Sequence, residues 1–535
     1  SNIVTEWQDL KSISWNTVTA ERLLQAKKLG FSDQQMANIW DVPAAEIWGQ
    51  RRSYKIAPAY RMIDTCAAEF RSTTNYFYST WDNQADVDRS NDAKKVAVVG
   101  SGPIRIGQGI EFDYCCVHSV MAAQKLGYEA VMINNNPETV STDYEVADAL
   151  YFEPITAEDV LNVLEFEGIH QVILQFGGQT SLNLANALEQ AGITVLGSAV
   201  DLLDQMEDRD RFYAFLESIG LPTIPGTTAK KPEDVLPAAE KLGFPVLLRP
   251  SYVIGGRGMI VLHDQAELDA WLGSEQAFPV LVDHFVTGKE AETDILTDGD
   301  NVWVSAIFEH IEGTGVHSGD SIASTPPVTL SDAQQQKLVD TAKHIARQLD
   351  YTGLFNIQFV YEEDQLFVME INPRASRTAP ISSKVTDVQL VQHATALLLG
   401  VPYEELGIEQ MYNGQPDFTV KAPVFSHIKL PGLSPVLSPE MMSTGEVIGT
   451  AQTFEEALEK ALTGASVQLA TLNPEATLFA ADGSDSHTQL DDFRTQGLSI
   501  ITEDQLSFDD WLLSTDAAAY IDFSETPDAG RMAQA

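Results

Sequence analysis

The sequence predicts a multidomain chain that combines α/β and α+β architecture, and three observations carry that prediction. Up to about residue 90, apolar residues recur with a helical period. Between 96 and 197, four short apolar runs each enter a turn rich in Gly or Asn, as in β-turn-α units on a parallel, doubly wound sheet. From about 199 to 400, helical stretches mix with longer β-rich ones, the pattern of an α+β domain. A length of 535 residues suits about three to five domains.

In chain order, Leu23, Leu24, Ala26, Lys27 and Leu29 carry a helical period, Gly30 ends it, and Ser32-Asp33 caps the next helix. Pro43 sits in the first turn of another. The polar, acidic stretch from Thr80 to Lys95 marks a boundary. The four strand runs follow at 96–99, 130–133, 171–175 and 194–196, entering Gly100-Ser101-Gly102-Pro103, Asn134-Asn135-Asn136-Pro137, Gly177-Gly178-Gln179-Thr180 and Gly197. A helix is expected from Pro103 to Leu126. Further strands are expected at 245–249, 280–282, 302–304, 355–361 and 366–371, the last two as a hairpin. After about 465 a strand is expected at 478–481, Asp and Ser dominate the rest, and the final residues are expected to fray.

Charge and cysteine content exclude several functions. Lys+Arg 33 against Asp+Glu 77 gives a net charge of −44, which opposes a nucleic-acid or anionic-membrane surface. A phosphate pocket needs only a few local cations and survives this test. No apolar run approaches the roughly 20 residues of a membrane span. The cysteines are Cys66, Cys115 and Cys116, without metal-ligand spacing, and a reducing cytoplasm fits them.

Four motifs carry chemistry. The turn Gly100-Ser101-Gly102-Pro103-Ile104-Arg105-Ile106-Gly107-Gln108-Gly109 follows a strand but is not G-x-G-x-x-G. It reads equally as an anion-binding turn and as a plain βα turn. In Arg249-Pro250-Ser251-Tyr252-Val253-Ile254-Gly255-Gly256-Arg257-Gly258 a strand delivers an arginine to a glycine loop able to close over phosphates. The alternative is a hairpin turn with an exposed arginine, although an unpaired charge inside an apolar strand is costly. His317, in Gly313-Thr314-Gly315-Val316-His317-Ser318-Gly319-Asp320, is structural unless an anion site lies nearby.

The fourth motif is the hairpin of Asn356-Ile357-Gln358-Phe359-Val360-Tyr361 and Leu366-Phe367-Val368-Met369-Glu370-Ile371-Asn372-Pro373-Arg374. Alternate residues of a strand share a face, so Glu370 and Asn372 point one way, Met369 and Ile371 the other. A three-residue loop, Glu363-Asp364-Gln365, sets Gln358 against Glu370 and Asn356 against Asn372. One carboxylate with two amide oxygens is a hard oxygen set suited to Mg²⁺, and Arg374 and Arg377 place cations beside it. A polar sheet face in solvent is the competing explanation.

Together these motifs resemble the C-terminal half of the large subunit of carbamoyl phosphate synthetase, an ATP-grasp family. The resemblance covers most of the chain. It runs through Asp64-Thr65-Cys66-Ala67-Ala68-Glu69-Phe70, Arg105 to Tyr114, Asn136-Pro137-Glu138-Thr139-Val140-Ser141, Gly177-Gly178-Gln179-Thr180 and Glu207-Asp208-Arg209. It continues through Arg249-Pro250-Ser251-Tyr252-Val253, Val316-His317-Ser318-Gly319-Asp320, Glu370-Ile371-Asn372-Pro373-Arg374 and Ser443-Thr444-Gly445-Glu446-Val447.

The resemblance implies a helical connecting domain at 1–90, a Rossmann-like pre-ATP-grasp domain at 91–198 and an ATP-grasp domain at 199–465. A truncated allosteric-like domain would occupy 466–535, where Gly497 to Asp504 lacks the family's phosphate motif. The chain would begin inside the connecting domain. Its reaction would be phosphorylation of carbamate by ATP, for arginine or pyrimidine synthesis. ATP would meet Arg209, Arg249, Gly255, Gly256, His284, Val286, Glu290, Gly315, Val316, His317, Ser318, Gln358 and Glu370. Mg²⁺ or Mn²⁺ would sit on Gln358, Glu370 and Asn372, with Arg374, Arg377 and His317 as catalytic residues and K⁺ as a further cofactor candidate. Partners implied are the N-terminal synthetase half, a glutamine amidotransferase small subunit and further copies of the chain. The rival readings are another ATP-grasp ligase, such as a biotin carboxylase, and a nucleotide-binding scaffold without activity.

Overall fold

The computed structural model describes residues 2–67, 69–70, 74–82, 84–89, 91–106, 108–250, 258–274, 278–408, 417–426 and 437–466, with strands at 477–480, 499–502 and 517–521. Helices Asn2–Ser12, Ala20–Lys28, Asp33–Trp40 and Ala44–Ser53 come first and bury Leu10, Leu23, Ala26, Met36 and Ile47 together. Their starts follow the sequence signals. Ser32 caps through a box with Gln35, and Pro43 is the N-cap of the fourth helix.

The helical expectation for the first 90 residues fails at two strands, β1 (Ala59–Met62) and β2 (Tyr76–Thr80). They extend a sheet with β3 (Lys95–Val99), β4 (Glu129–Asn134), β5 (Ala149–Phe152), β6 (Gln171–Ile173) and β7 (Thr194–Val195), in the order β1-β2-β5-β4-β3-β6-β7. All neighbours are parallel except β1 and β2. β3 is fully buried, which explains why its sequence is a continuous apolar run. β1 and β2 lack such runs, and aromatic packing ties them to β5, whose Ala149-Leu150-Tyr151-Phe152 is itself apolar, with the rings of Tyr60 and Tyr151 5.0 Å apart. The helix expected at Pro103 begins instead at Glu111; before it, Arg105 and Gln108 pair in an isolated antiparallel bridge, which takes the backbone out of a helical path.

Two antiparallel sheets follow. β8 (Gly226–Ala229), β9 (Val246–Pro250), β10 (Ile260–Leu262) and β11 (Val280–His284) form a four-stranded sheet ordered β10-β9-β11-β8. The seven-stranded sheet contains β12 (Lys289–Thr297), β13 (Val302–His310), β14 (Ala323–Thr325), β15 (Gly353–Glu362), β16 (Gln365–Asn372), β17 (Phe418–Val424) and β18 (Gly445–Ala451). Its order is β16-β15-β12-β13-β14-β17-β18. A three-stranded parallel sheet of β19 (Thr477–Ala480), β20 (Ser499–Thr502) and β21 (Ala517–Ile521) includes the strand expected near 478. The expected fraying of the last residues falls outside the described residues.

The parallel sheet is docked on the seven-stranded one through backbone groups as well as side chains. Gln175 donates to the Thr352 carbonyl at 2.8 Å, its own carbonyl accepts from Ala375 N at 3.0 Å, and Thr352 N donates to Gly197 O at 2.7 Å. Gly197 has φ +106°, and a Cβ there would lie 2.0 Å from Gln175 Nε2, so only glycine fits this joint. Among the described residues no helix is long and apolar enough to cross a membrane.

Candidate active site

The hairpin of β15 and β16 sets the parity of the site. Asn356, Gln358 and Val360 line a cavity of about 630 Å³, while Phe355, Ile357 and Phe359 enter the core behind them. The connection is two residues, Glu363-Asp364, with Glu362 opposite Gln365, and not the three-residue loop expected. Simple alternation from there would turn Glu370 and Asn372 into the core. Met369 prevents this by acting as an extra residue: pairing steps from Phe359 opposite Val368 to Gln358 opposite Glu370. That β-bulge reverses the parity, so Asn356 faces Asn372 and the expected polar set forms by a different route. Met369 leaves the apolar layer assigned to it. It packs instead with the cavity-side cluster of Ile224, Val286, Val360 and Phe367.

The hydrogen bonds orient the set. Gln358 Nε2 donates to Ser318 Oγ at 2.9 Å, so its amide oxygen is the atom available to a cation. Asn372 Nδ2 donates to Glu370 Oε1 at 2.7 Å, and Arg374 Nη2 donates to Asn372 Oδ1 at 3.1 Å. Asn356 donates to Glu292 Oε2 at 3.1 Å, while its own Oδ1 is buried with no partner among the described residues. A buried orphan oxygen is costly, and here it lies among carboxylates and amides. The donor set is all oxygen and fits a hard divalent cation.

Cationic groups meet the same cavity. Arg377 donates from Nε to Glu111 Oε1 at 3.2 Å and from Nη1 to Gly319 O at 3.0 Å and Ser443 Oγ at 2.6 Å. Its Nη2 is buried and unpartnered. Arg209 donates to Asp283 Oδ2 and the Met369 carbonyl, each at 3.1 Å, and its Nε is likewise unpartnered. Burial and the neighbouring Arg249 bring Arg209 down to about 9. Burial also lowers Arg374. Such donors, held in place and short of acceptors, suit phosphate oxygens.

His317 comes from the glycine loop. Its Nδ1 accepts from Gly319 N–H at 3.0 Å, and burial holds the ring well below the usual imidazole range despite Glu370 and Asp320. The neutral ring therefore carries its proton on Nε2. Gly315, at φ +99°, would bring a Cβ within 3.1 Å of the Phe285 ring, which explains the glycine. His284, half-buried at the end of β11, lies 3.7 Å from Glu362. Arg209, Arg249, His284, Val286, Glu290, Gly315, Val316, His317, Ser318, Gln358, Glu370, Asn372, Arg374 and Arg377 all line the one cavity. Gly255 and Gly256 lie outside the described residues.

Sequence reasoning passed over Glu292 and Asp283, which also line the cavity. Glu290 and Glu292 share one face of β12, a period-two signal that was legible; Asp283 ends an apolar run without any pattern.

Solved structures with a similar fold include N5-carboxyaminoimidazole ribonucleotide synthetase in an ADP complex. It is 17% identical, with a TM-score of 0.55, over 70% of this chain and 97% of that one. The biotin carboxylase domain of Hydrogenobacter thermophilus 2-oxoglutarate carboxylase is 20% identical, with a TM-score of 0.53, over 70% and 90%. The fold is thus that of the ATP-grasp proteins.

Within that class, residues 92–205 match the carbamoyl phosphate synthase preATP-grasp domain and 208–406 the carbamoyl-phosphate synthase L chain ATP binding domain. Residues 1–55 match the carbamoyl-phosphate synthetase large chain oligomerisation domain. The carbamoyl phosphate synthase arginine-specific large chain of Halalkalibacterium halodurans is 45% identical over 97% of this chain and 51% of its own length. Its counterpart from Geobacillus stearothermophilus is 46% identical over 95% and 49%. The chain belongs to the carbamoyl phosphate synthase large-chain family. It spans about half the length of these curated relatives.

Proposed function

We propose that this chain phosphorylates carbamate with ATP to give carbamoyl phosphate and ADP, in arginine synthesis. The observation that carries the reading is the meeting of three features in one cavity: the oxygen set on β15 and β16, the under-partnered arginines, and the apolar slot of Ile224, Val286, Val360 and Met369. In that slot the adenine of ATP would be covered by Val286 and His284, with Glu290 at the ribose. Arg209 and Arg249 would bind its phosphates, with Gly255 and Gly256 in the covering loop.

A carbamate oxygen is already anionic, so the reaction needs no general base. It attacks the γ-phosphorus, the new O–P bond forms as the bond to the β,γ-bridging oxygen breaks, and ADP leaves. The barrier is repulsion between anions. Arg374 and Arg377 hold the γ-phosphoryl group and carbamate at fixed positions, and neutral His317 donates from Nε2 to a developing negative oxygen. Gln358, Glu370 and Asn372 would hold Mg²⁺ or Mn²⁺, which when bound neutralises phosphate charge. The names of the relatives support the arginine pathway. Carbamate would come from an N-terminal synthetase half, with ammonia from a glutamine amidotransferase subunit, in the cytoplasm. The match to an oligomerisation domain supports self-association, and K⁺ is a further ion to test.

The reverse partial reaction tests the proposal: the chain, ADP, carbamoyl phosphate and Mg²⁺ should yield ATP. ADP binding without ATP formation would favour a scaffold, and activity only with another acyl phosphate would favour a different ligase.

A further inference from the structure

His310, at the end of β13, is almost fully buried and faces two carboxylates. Its Nδ1 lies 3.2 Å from Glu290 Oε2 and its Nε2 lies 3.3 Å from Glu292 Oε1. A carboxylate oxygen can only accept, so a ring that satisfies both must carry a proton on each nitrogen. Burial alone would lower this imidazole, but Glu290 and Glu292 outweigh it and bring it to about 9. Lys421, Glu312, Asp294 and Glu446 are the other charged groups that interact with this cluster.

The two carboxylates point at different parts of the cavity. Glu290 stands opposite Val360, beside the apolar slot. Glu292 stands opposite Gln358 and accepts from Asn356, at the end where the oxygen set lies. Without the imidazolium, two buried carboxylates two residues apart on one strand face would repel and reorient. We propose that His310 is a positioning residue for nucleotide recognition: it fixes Glu290 toward the ribose hydroxyls and, through Glu292 and Asn356, ties that contact to the oxygen set. This inference rests on the nucleotide-binding part of the function proposed above.

The experiment measures equilibrium binding of ADP, 2′-deoxy-ADP and 3′-deoxy-ADP, with Mg²⁺, to the full chain and to His310→Gln. The native chain should bind ADP about tenfold or more tightly than at least one deoxy form, the loss expected when a hydroxyl bonded to a charged group is removed. In His310→Gln that ratio should fall toward one, and Glu290→Gln combined with it should lower the ratio no further. A native chain that discriminates, with His310→Gln keeping the full ratio, overturns the positioning role and leaves the nucleotide site standing. A native chain that fails to bind ADP overturns the function itself. If His310→Gln does not fold, nitrogen NMR of the native protein at pH 8 decides. At least one of the ten histidines should show both ring nitrogens protonated, and the absence of any such signal refutes the clamp.

Discussion

At the scale of single residues, the half-buried Glu370 and the fully buried Cys116 stand in contrast. Glu370 shares its hydrogen-bonding capacity with Asn372 and stands across from Gln358, so its charge is held where phosphate oxygens would arrive. Glu370→Gln keeps the shape and removes the charge. ATP formation from ADP and carbamoyl phosphate should drop by ~10²-fold or more, with the melting temperature unchanged. Near-native turnover at saturating Mg²⁺ would count decisively against the metal assignment. Cys115 and Cys116, by contrast, are fully buried in the helix Glu111–Lys125, and burial pushes both thiols well above the usual range. They pack rather than react. Replacing both by Ala should keep activity within a fewfold, and a maleimide should label Cys66 alone in the folded protein.

At the scale of elements, the β15–β16 hairpin is governed by its turn and its bulge. Glu363 occupies the turn at φ +50°, a region that costs a side chain about 1 kcal/mol and costs glycine nothing. Glu363→Gly should therefore stabilise the chain by about 0.5–1 kcal/mol in urea denaturation, leaving ADP affinity unchanged. Destabilisation would show that the Glu363 side chain contributes more than its strain. A second element-scale contact ties the N-terminal helices to one another and to the helix Ala157–Glu167. Asp33 receives a bidentate pair from Arg51 at 2.7 and 2.8 Å, and Lys27 bonds Glu158 beside it. Breaking a buried pair leaves an uncompensated charge, so Asp33→Ala should cost about 3–5 kcal/mol. A loss under about 1 kcal/mol would mean that water reaches Arg51.

For the whole molecule, buried titrating groups shape stability against pH. His310 rises from an ordinary 6.5 to about 9, so folding favours its proton. Its contribution is complete below pH 6.5 and is lost as pH rises toward 9. Burial lifts Glu153 and Glu446 to about 7, so each also costs stability as pH rises from its ordinary 4.5 through that value. Burial lowers His317, His118 and His393, whose contribution is lost as pH falls below 6.5. The urea midpoint should thus decline between pH 6.5 and 9, and the decline should be shallower in His310→Gln. A midpoint that rises over that interval would reverse the sign assigned to His310.

The sequence by itself determined the class of fold and most of the chemistry. Continuous apolar runs announced β3, β4 and β6, and the Glu370-Ile371-Asn372-Pro373-Arg374 block announced the oxygen set, because both are local patterns written at a fixed period. Tertiary structure decided what local pattern cannot carry. β1 and β2 carry no such run and are held by aromatic neighbours from a separate segment, Tyr60 and Phe77 each packing against Tyr151 of β5. Met369 became a bulge because the cavity-side cluster and the Arg209 donor claimed it, which turned a two-residue connection into the right parity. Arg377 found Glu111 across 266 residues, and His310 found two carboxylates on a neighbouring strand. A side chain's period is fixed by its own strand, but the partner that sets its charge and direction is delivered by chain folded from elsewhere.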